Sequence, residues 1–129
     1  LGQVRHGDVR RVLCQGHIYL NCSLTEAFCI AILEAASCGL LVVTTKVGGV
    51  PEVLPDGMVK YARPDPLDLV EALQWAITRD VKDVVPADFH ARVTAMYSWH
   101  HVARRTCKVY DDVACLSPLP LAHRLATCA

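Results

Sequence analysis

Little in this sequence carries net charge of one sign. Its 13 basic and 13 acidic side chains cancel, so there is no electrostatic case for nucleic-acid binding, and no nucleic-acid partner is expected. No apolar run approaches the roughly 20 residues of a membrane span. The opening L-G-Q-V-R-H-G-D-V-R-R lacks the apolar core of a signal peptide. It also lacks a starting Met, so we expect a piece of something longer. Seven cysteines occur, at 14, 22, 29, 38, 107, 115 and 128, yet none forms C-x-x-C and the count is odd. Several fall where small apolar residues belong in strands or helices. That favours reduced thiols in a cytosol-facing protein over a disulfide framework. Metal-ligand spacing is missing as well. The six histidines include one adjacent pair, His100–His101, and neighbouring helical positions point in different directions. No internal repeat is present.

What is there suits a packed domain. The chain has 129 residues, of which 53% are hydrophobic, enough for one globular core. Its organising stretch is residues 17–39. His17–Cys22 (H-I-Y-L-N-C) is short, apolar and β-prone, as a buried strand should be. Ala27–Ser37 is dense in Ala, Leu and Glu, good helix formers, and Gly39 is placed to close that helix. Ser23 and Glu26 fit a capping box, Ser23 at the N-cap and Glu26 at N3. The free N–H groups of such a first turn, near Phe28 and Cys29, would suit a phosphate. Glu26 and Glu34 flank seven residues, which on one helix spaces them by about 12 Å along its axis. Two acceptors so placed suit hydroxyls at the ends of an extended ligand such as a nucleotide sugar. Taken alone, the pair has a plainer reading: Glu26 as a cap residue and Glu34 as a solvated one.

The flanking chain alternates in the same way. Residues 8–15 read as a short helix ended by Gly16, with Val9, Val12 and Leu13 at helical spacing. Leu40–Thr45 (L-L-V-V-T-T) is a second strand, too apolar to have a wet face. The loop K-V-G-G-V-P-E follows, where Gly48 and Gly49 permit positive φ and close approach to a ligand. Met58–Ala62 reads as a third, weaker strand. Asp65–Pro66 opens a helix to about Arg79, with Leu69, Val70, Leu73, Ala76 and Ile77 as its apolar stripe. A polar connector spans 80–88, a helix covers Phe89–Met96, and Ser98 caps another helix with Val102, Thr106, Val109, Tyr110 and Val113 on one side. The alternation predicts an α/β class: a partial Rossmann-like parallel sheet with flanking helices, incomplete at its amino end. Residues 1–113 would form the domain and 114–129 a poorly ordered tail.

These motifs together carry a resemblance. T-E-A-F-C-I-A-I-L-E-A-A-S-C-G-L-L-V-V-T-T-K-V-G-G-V-P-E-V-L is similar to the donor-binding, carboxyl-terminal half of retaining glycosyltransferases of GT-B architecture, the family 4-like group that includes sucrose- and glycogen-synthase-like enzymes. The signature is Glu, seven residues, Glu, then a strand and a Gly-Gly-x-Pro-Glu loop, met here by Glu26, Glu34, Gly48, Gly49, Pro51 and Glu52. Residues 1–113 further resemble the catalytic subunits that transfer N-acetylglucosamine from UDP-GlcNAc to phosphatidylinositol, the first step of GPI-anchor synthesis. The resemblance implies that Glu34 bonds the ribose of UDP. It makes Glu26 the catalytic residue, on the donor sugar's hydroxyls. The helix start near Phe28 and Cys29 would take the diphosphate, with the Gly48–Gly49 loop against the donor. It implies no metal and no cofactor, the helix dipole and cationic side chains offsetting the leaving diphosphate; no Asp-x-Asp motif occurs. It also implies an endoplasmic reticulum membrane setting on the cytoplasmic face, partner subunits, and phosphatidylinositol bound through an amino-terminal domain outside these residues. The diphosphate-gripping basic residues and a membrane anchor would lie outside them too, so this chain alone is expected not to turn over.

Two alternatives stay open: a non-catalytic truncated product that at most associates with partner subunits, and a related transferase with another sugar or acceptor. Of the remaining polar residues, His17 reads as structural and Lys46 as solvated beside the Gly-Gly loop. Trp75 and Trp99 read as packing residues, and Arg104 and Arg105 as a solvated face.

Overall fold

The computed structural model describes residues 2–79, 84–117 and 120. The chain divides into two compact units, Leu1–Met96 and Tyr97–Ala129.

The first unit is built on a parallel sheet of three strands, β1 (Ile18–Asn21), β2 (Leu41–Thr45) and β3 (Val59–Ala62), in the order β1-β2-β3. All three expected strands are present, each trimmed at one or both ends. β2 lies between its neighbours and is buried along its whole length, as its unbroken apolar run requires. The register pairs Ile18 with Leu41 and Asn21 with Thr44, then Val42 with Val59 and Thr45 with Ala62. Side chains on a strand alternate between faces. Tyr19, Asn21, Val42 and Thr44 therefore share one face, and Ile18, Leu41, Val43 and Ala62 the other.

The second of these faces meets α3 (Pro66–Thr78), whose Ala72 and Ala76 are buried against Leu41, Val43 and Ala62, with Ile18 and Leu69 at the margin. Asp65 caps α3 as its position demands, accepting from the Leu67 N–H at 2.9 Å and the Asp68 N–H at 3.3 Å, with Pro66 at N1. The stripe differs from expectation. Val70 and Ile77 are exposed, because small alanines at 72 and 76 let the sheet approach most closely on their side.

Beyond the other face lie α2 (Ile30–Ser37) and, packed on it, α4 (Pro86–Met96). α2 ends as Gly39 predicts. The Gly39 N–H donates to the Ala36 C=O at 2.9 Å and the Leu40 N–H to the Ala35 C=O at 3.1 Å, a Schellman closure with φ +85° at Gly39. A Cβ there would run into Pro86 at the head of α4. α4 starts three residues earlier than the expected Phe89, because Pro86 supplies a preformed first helical turn. Of the connector expected over 80–88, residues 80–83 lie outside the described residues. A short 3₁₀ turn, His6–Asp8, leads into α1 (Val9–Leu13).

In the second unit, α5 (Trp99–Ala114) follows Ser98, which takes the N-cap place without a side-chain capping bond. Much of the tail expected over 114–129, namely 118, 119 and 121–129, lies outside the described residues. Among the described residues no helix is long and apolar enough to cross a membrane.

Candidate functional site

The residues marked by the sequence gather where β1 and β2 end. The β1–α2 connection carries Glu26, Phe28 and Cys29. α2 carries Glu34, and the loop after β2 carries Gly48 and Gly49. This is the carboxyl edge of a parallel sheet, where open α/β folds bind ligands.

The connection is not the capped turn expected. α2 begins at Ile30, and its N-cap is Cys29, with φ 63° and no side-chain capping bond. Ser23 and Glu26 do pair, but side chain to side chain inside an irregular loop: Ser23 Oγ–H points to Glu26 Oε1 at 2.9 Å. Two tethers explain the departure from helix. Asn21 at the end of β1 draws Ser23 back, its Oδ1 3.0 Å from Ser23 Oγ. The Thr45 hydroxyl donates to the Ser23 C=O. The first-turn N–H groups available for an anion are consequently those at the start of Ile30–Ser37, not those of Phe28 and Cys29. Glu26 lies off the helix, so the axial count that set it 12 Å from Glu34 does not apply.

The Gly-Gly loop presses on the same connection. The Gly49 N–H donates to the Glu26 C=O at 3.1 Å. A Cβ on Gly48 would overlap the Glu26 carbonyl, and one on Gly49 the Ala27 carbonyl. Gly48 adopts φ +50°. The close approach these glycines permit is made to the chain's own backbone, which fixes the peptide that bears Glu26.

Side chains that no sequence motif marked complete the arrangement. Asn21 Nδ2 donates to Thr44 Oγ1 at 3.1 Å and lies 3.6 Å from Cys29 Sγ. Thr44 and Thr45 are fully buried. Tyr19 sits half-buried on the same face of β1. Burial pushes its hydroxyl above the ordinary phenol range, and the charges of Cys29, Glu34 and Glu26 push it further. Both glutamates therefore act on one aromatic side chain, although they stand on different elements. Burial likewise raises the Cys29 thiol. The Ile32 and Ala31 N–H groups oppose that rise, and Glu26 reinforces it. The available signal was a polar residue closing each strand, Asn21 in I-Y-L-N and the threonines in L-V-V-T-T.

Glu26, Glu34 and Cys29 are half-buried, and Phe28 and Gly48 are exposed. Two carboxylates beside a helix N-terminus make a site with acceptors for hydroxyls and a positive dipole end for an anion. Among the described residues, no cluster of three or more His, Cys, Asp or Glu is arranged to hold a metal.

Comparison with known proteins gives this geometry a context. The family model described as glycosyl transferases group 1 matches residues 1–79. A phosphatidylinositol N-acetylglucosaminyltransferase subunit of Arabidopsis thaliana is 58% identical over 125 residues, covering 97% of this chain and 28% of that protein. The Homo sapiens protein of the same name is 52% identical over 127 residues, covering 97% and 26%. An alpha-maltose-1-phosphate synthase of Mycobacterium tuberculosis is 30% identical over 116 residues, covering 83% and 30%. The chain thus spans little more than a quarter of the length of the first two relatives. Among solved structures, sucrose-phosphate synthase from Thermosynechococcus elongatus superposes with a TM-score of 0.76 at 23% identity, over 91% of this chain and 30% of that one. That likeness concerns the fold, and it matches the parallel sheet and helices described above.

Proposed function

The chain belongs to the group 1 glycosyl transferases, and from that premise we propose that it forms the donor-binding part of an enzyme moving N-acetylglucosamine from UDP-GlcNAc to phosphatidylinositol. The observation that carries this reading is the convergence of Glu26 and Glu34 on the carboxyl edge of the sheet, beside the start of α2 and the docked Gly48–Gly49 loop. Glu34 accepts from the ribose hydroxyls, Glu26 from hydroxyls of the sugar, and the α2 N–H groups face the diphosphate. The names of the relatives in Arabidopsis thaliana and Homo sapiens supply the sugar and the acceptor. No metal or cofactor enters the proposed chemistry; the helix end and cations elsewhere in the full enzyme stabilise the leaving diphosphate. Those names also describe subunits, which supports a place in a multi-subunit transferase; we further propose a setting at the endoplasmic reticulum membrane, with the donor site on the cytoplasmic face.

The test is calorimetric binding of UDP and UDP-GlcNAc to this chain. Glu34→Ala removes the acceptor for the ribose, which both ligands carry. We expect it to weaken both to a similar degree, about tenfold, the effect of one hydrogen bond to a charged group. Unchanged UDP affinity in Glu34→Ala would remove the ribose assignment. Failure of the unaltered chain to bind either ligand would remove the donor-site reading.

A further inference from the structure

The hydrogen bonds around Ser23 hold one proton fewer than they have acceptors. Its hydroxyl has a single hydrogen, yet Asn21 Oδ1 lies at 3.0 Å and Glu26 Oε1 at 2.9 Å. Asn21 is itself held at its other end, where Nδ2 meets the buried Thr44 hydroxyl and the Cys29 sulfur. The path of the loop is held by more than the Ser23 side chain. Backbone carbonyls anchor it, through Thr45 to the Ser23 C=O and through Gly49 to the Glu26 C=O.

We propose that Asn21 and Ser23 are a positioning pair that aims the Glu26 carboxylate and releases it to the sugar half of the donor. The proposal rests on the donor-site reading above. In the empty site Ser23 donates to Glu26 Oε1 and fixes its rotamer. When a ligand hydroxyl takes that oxygen, the Ser23 hydrogen turns to Asn21 Oδ1. No partly buried polar group is then left without a partner, and leaving one would weaken binding sharply. A carboxylate that only accepts selects a ligand group that donates, a sugar hydroxyl or amide N–H, over one that does not. Asn21 and Ser23 touch neither reacting atom; they act through Glu26.

The test measures UDP and UDP-GlcNAc binding to the unaltered chain, Ser23→Ala, Ser23→Thr, Asn21→Ala, Glu26→Gln and Ser23→Ala combined with Glu26→Gln. Ser23→Ala is expected to leave UDP affinity within about twofold and to weaken UDP-GlcNAc about tenfold, with Ser23→Thr restoring it. Asn21→Ala should follow in direction at about three- to fivefold. On the Glu26→Gln background, Ser23→Ala should add less than about twofold, as coupled groups do. Equal losses for the two ligands, or full additivity with Glu26→Gln, would overturn the proposal while leaving the donor site intact. If the unaltered chain binds neither ligand, the donor-site reading fails and this assignment with it. Should Asn21→Ala not fold by circular dichroism, the Ser23 variants decide alone, since their backbone tethers remain.

Discussion

Cys29 is the one non-glycine residue with positive φ among the described residues, a conformation that costs an L-residue about 1–2 kcal/mol. It is held there while its sulfur stays near Asn21 and the first N–H groups of α2. Such strain persists where surrounding contacts over-determine it, and it concentrates at sites of function. The same neighbourhood dictates a pH response. Tyr19, Cys29, Cys38 and Tyr61 all have raised pKa values, burial being the first cause in each. These groups are neutral when protonated, so the folded state holds its protons to higher pH than the unfolded chain does. The stability they contribute is full below the ordinary thiol range and is lost as pH rises through the raised values. Thermal midpoints should be level near pH 7–8 and fall steadily above about pH 8.5. A midpoint that climbs over that range would contradict the assignment of burial as the cause. Asp68 behaves oppositely: the Arg63 guanidinium, bonded to it at 2.6 and 2.7 Å, holds its carboxyl below the usual range. Its contribution is present above the ordinary carboxylate value and disappears as pH falls through the lowered one. Being a surface pair, it adds little.

At the scale of elements, backbone contact between two loops sets the site. Gly48→Ala places a methyl on the Glu26 carbonyl at a positive φ, so the loop must lift. We expect a loss of about 3 kcal/mol in denaturant unfolding and, with Glu26 displaced, weaker UDP-GlcNAc binding than the stability loss alone explains. Gly57→Ala is the control, since its Cβ meets nothing within 4 Å although its φ is +90°; it should lose only about 1 kcal/mol. The strands, α3 with its Asp65–Pro66 start, and the Gly39 stop were legible in the sequence, because each follows from local rules of periodicity, capping and left-handed backbone. The loop 22–29 was not. S-L-T-E-A-F has the composition of a helix start, and a capping box fits it. What unwinds it is non-local: Thr45 and Gly49, about twenty residues downstream, take the Ser23 and Glu26 carbonyls. For the same reason no motif marked Asn21 or the threonines. Their meaning comes from the β1–β2 register, which sets Asn21 opposite Thr44.

For the molecule as a whole, the arrangement leaves apolar surface outward. Among the described residues β1 pairs only with β2, so its far edge is open, and Leu20 on it is 44% exposed. Leu67, Val70 and Ile77 form an exposed stripe along α3. Open edges and apolar stripes promote association. Light scattering should show concentration-dependent self-association of this chain, and Leu20→Lys should raise the onset concentration several-fold by placing a charge on that edge. Equal onset in the variant would point to α3 instead. The placement of the two indoles has a separate consequence. Trp75 stands in the sheet unit, with the Lys60 ammonium 4.9 Å and the Arg79 guanidinium 5.3 Å from its ring centre. Trp99 opens α5 in the other unit and is 86% exposed. Each unit therefore owns one indole, the first flanked by cations and the second bathed in water. Their emission colours separate the two halves without any added label.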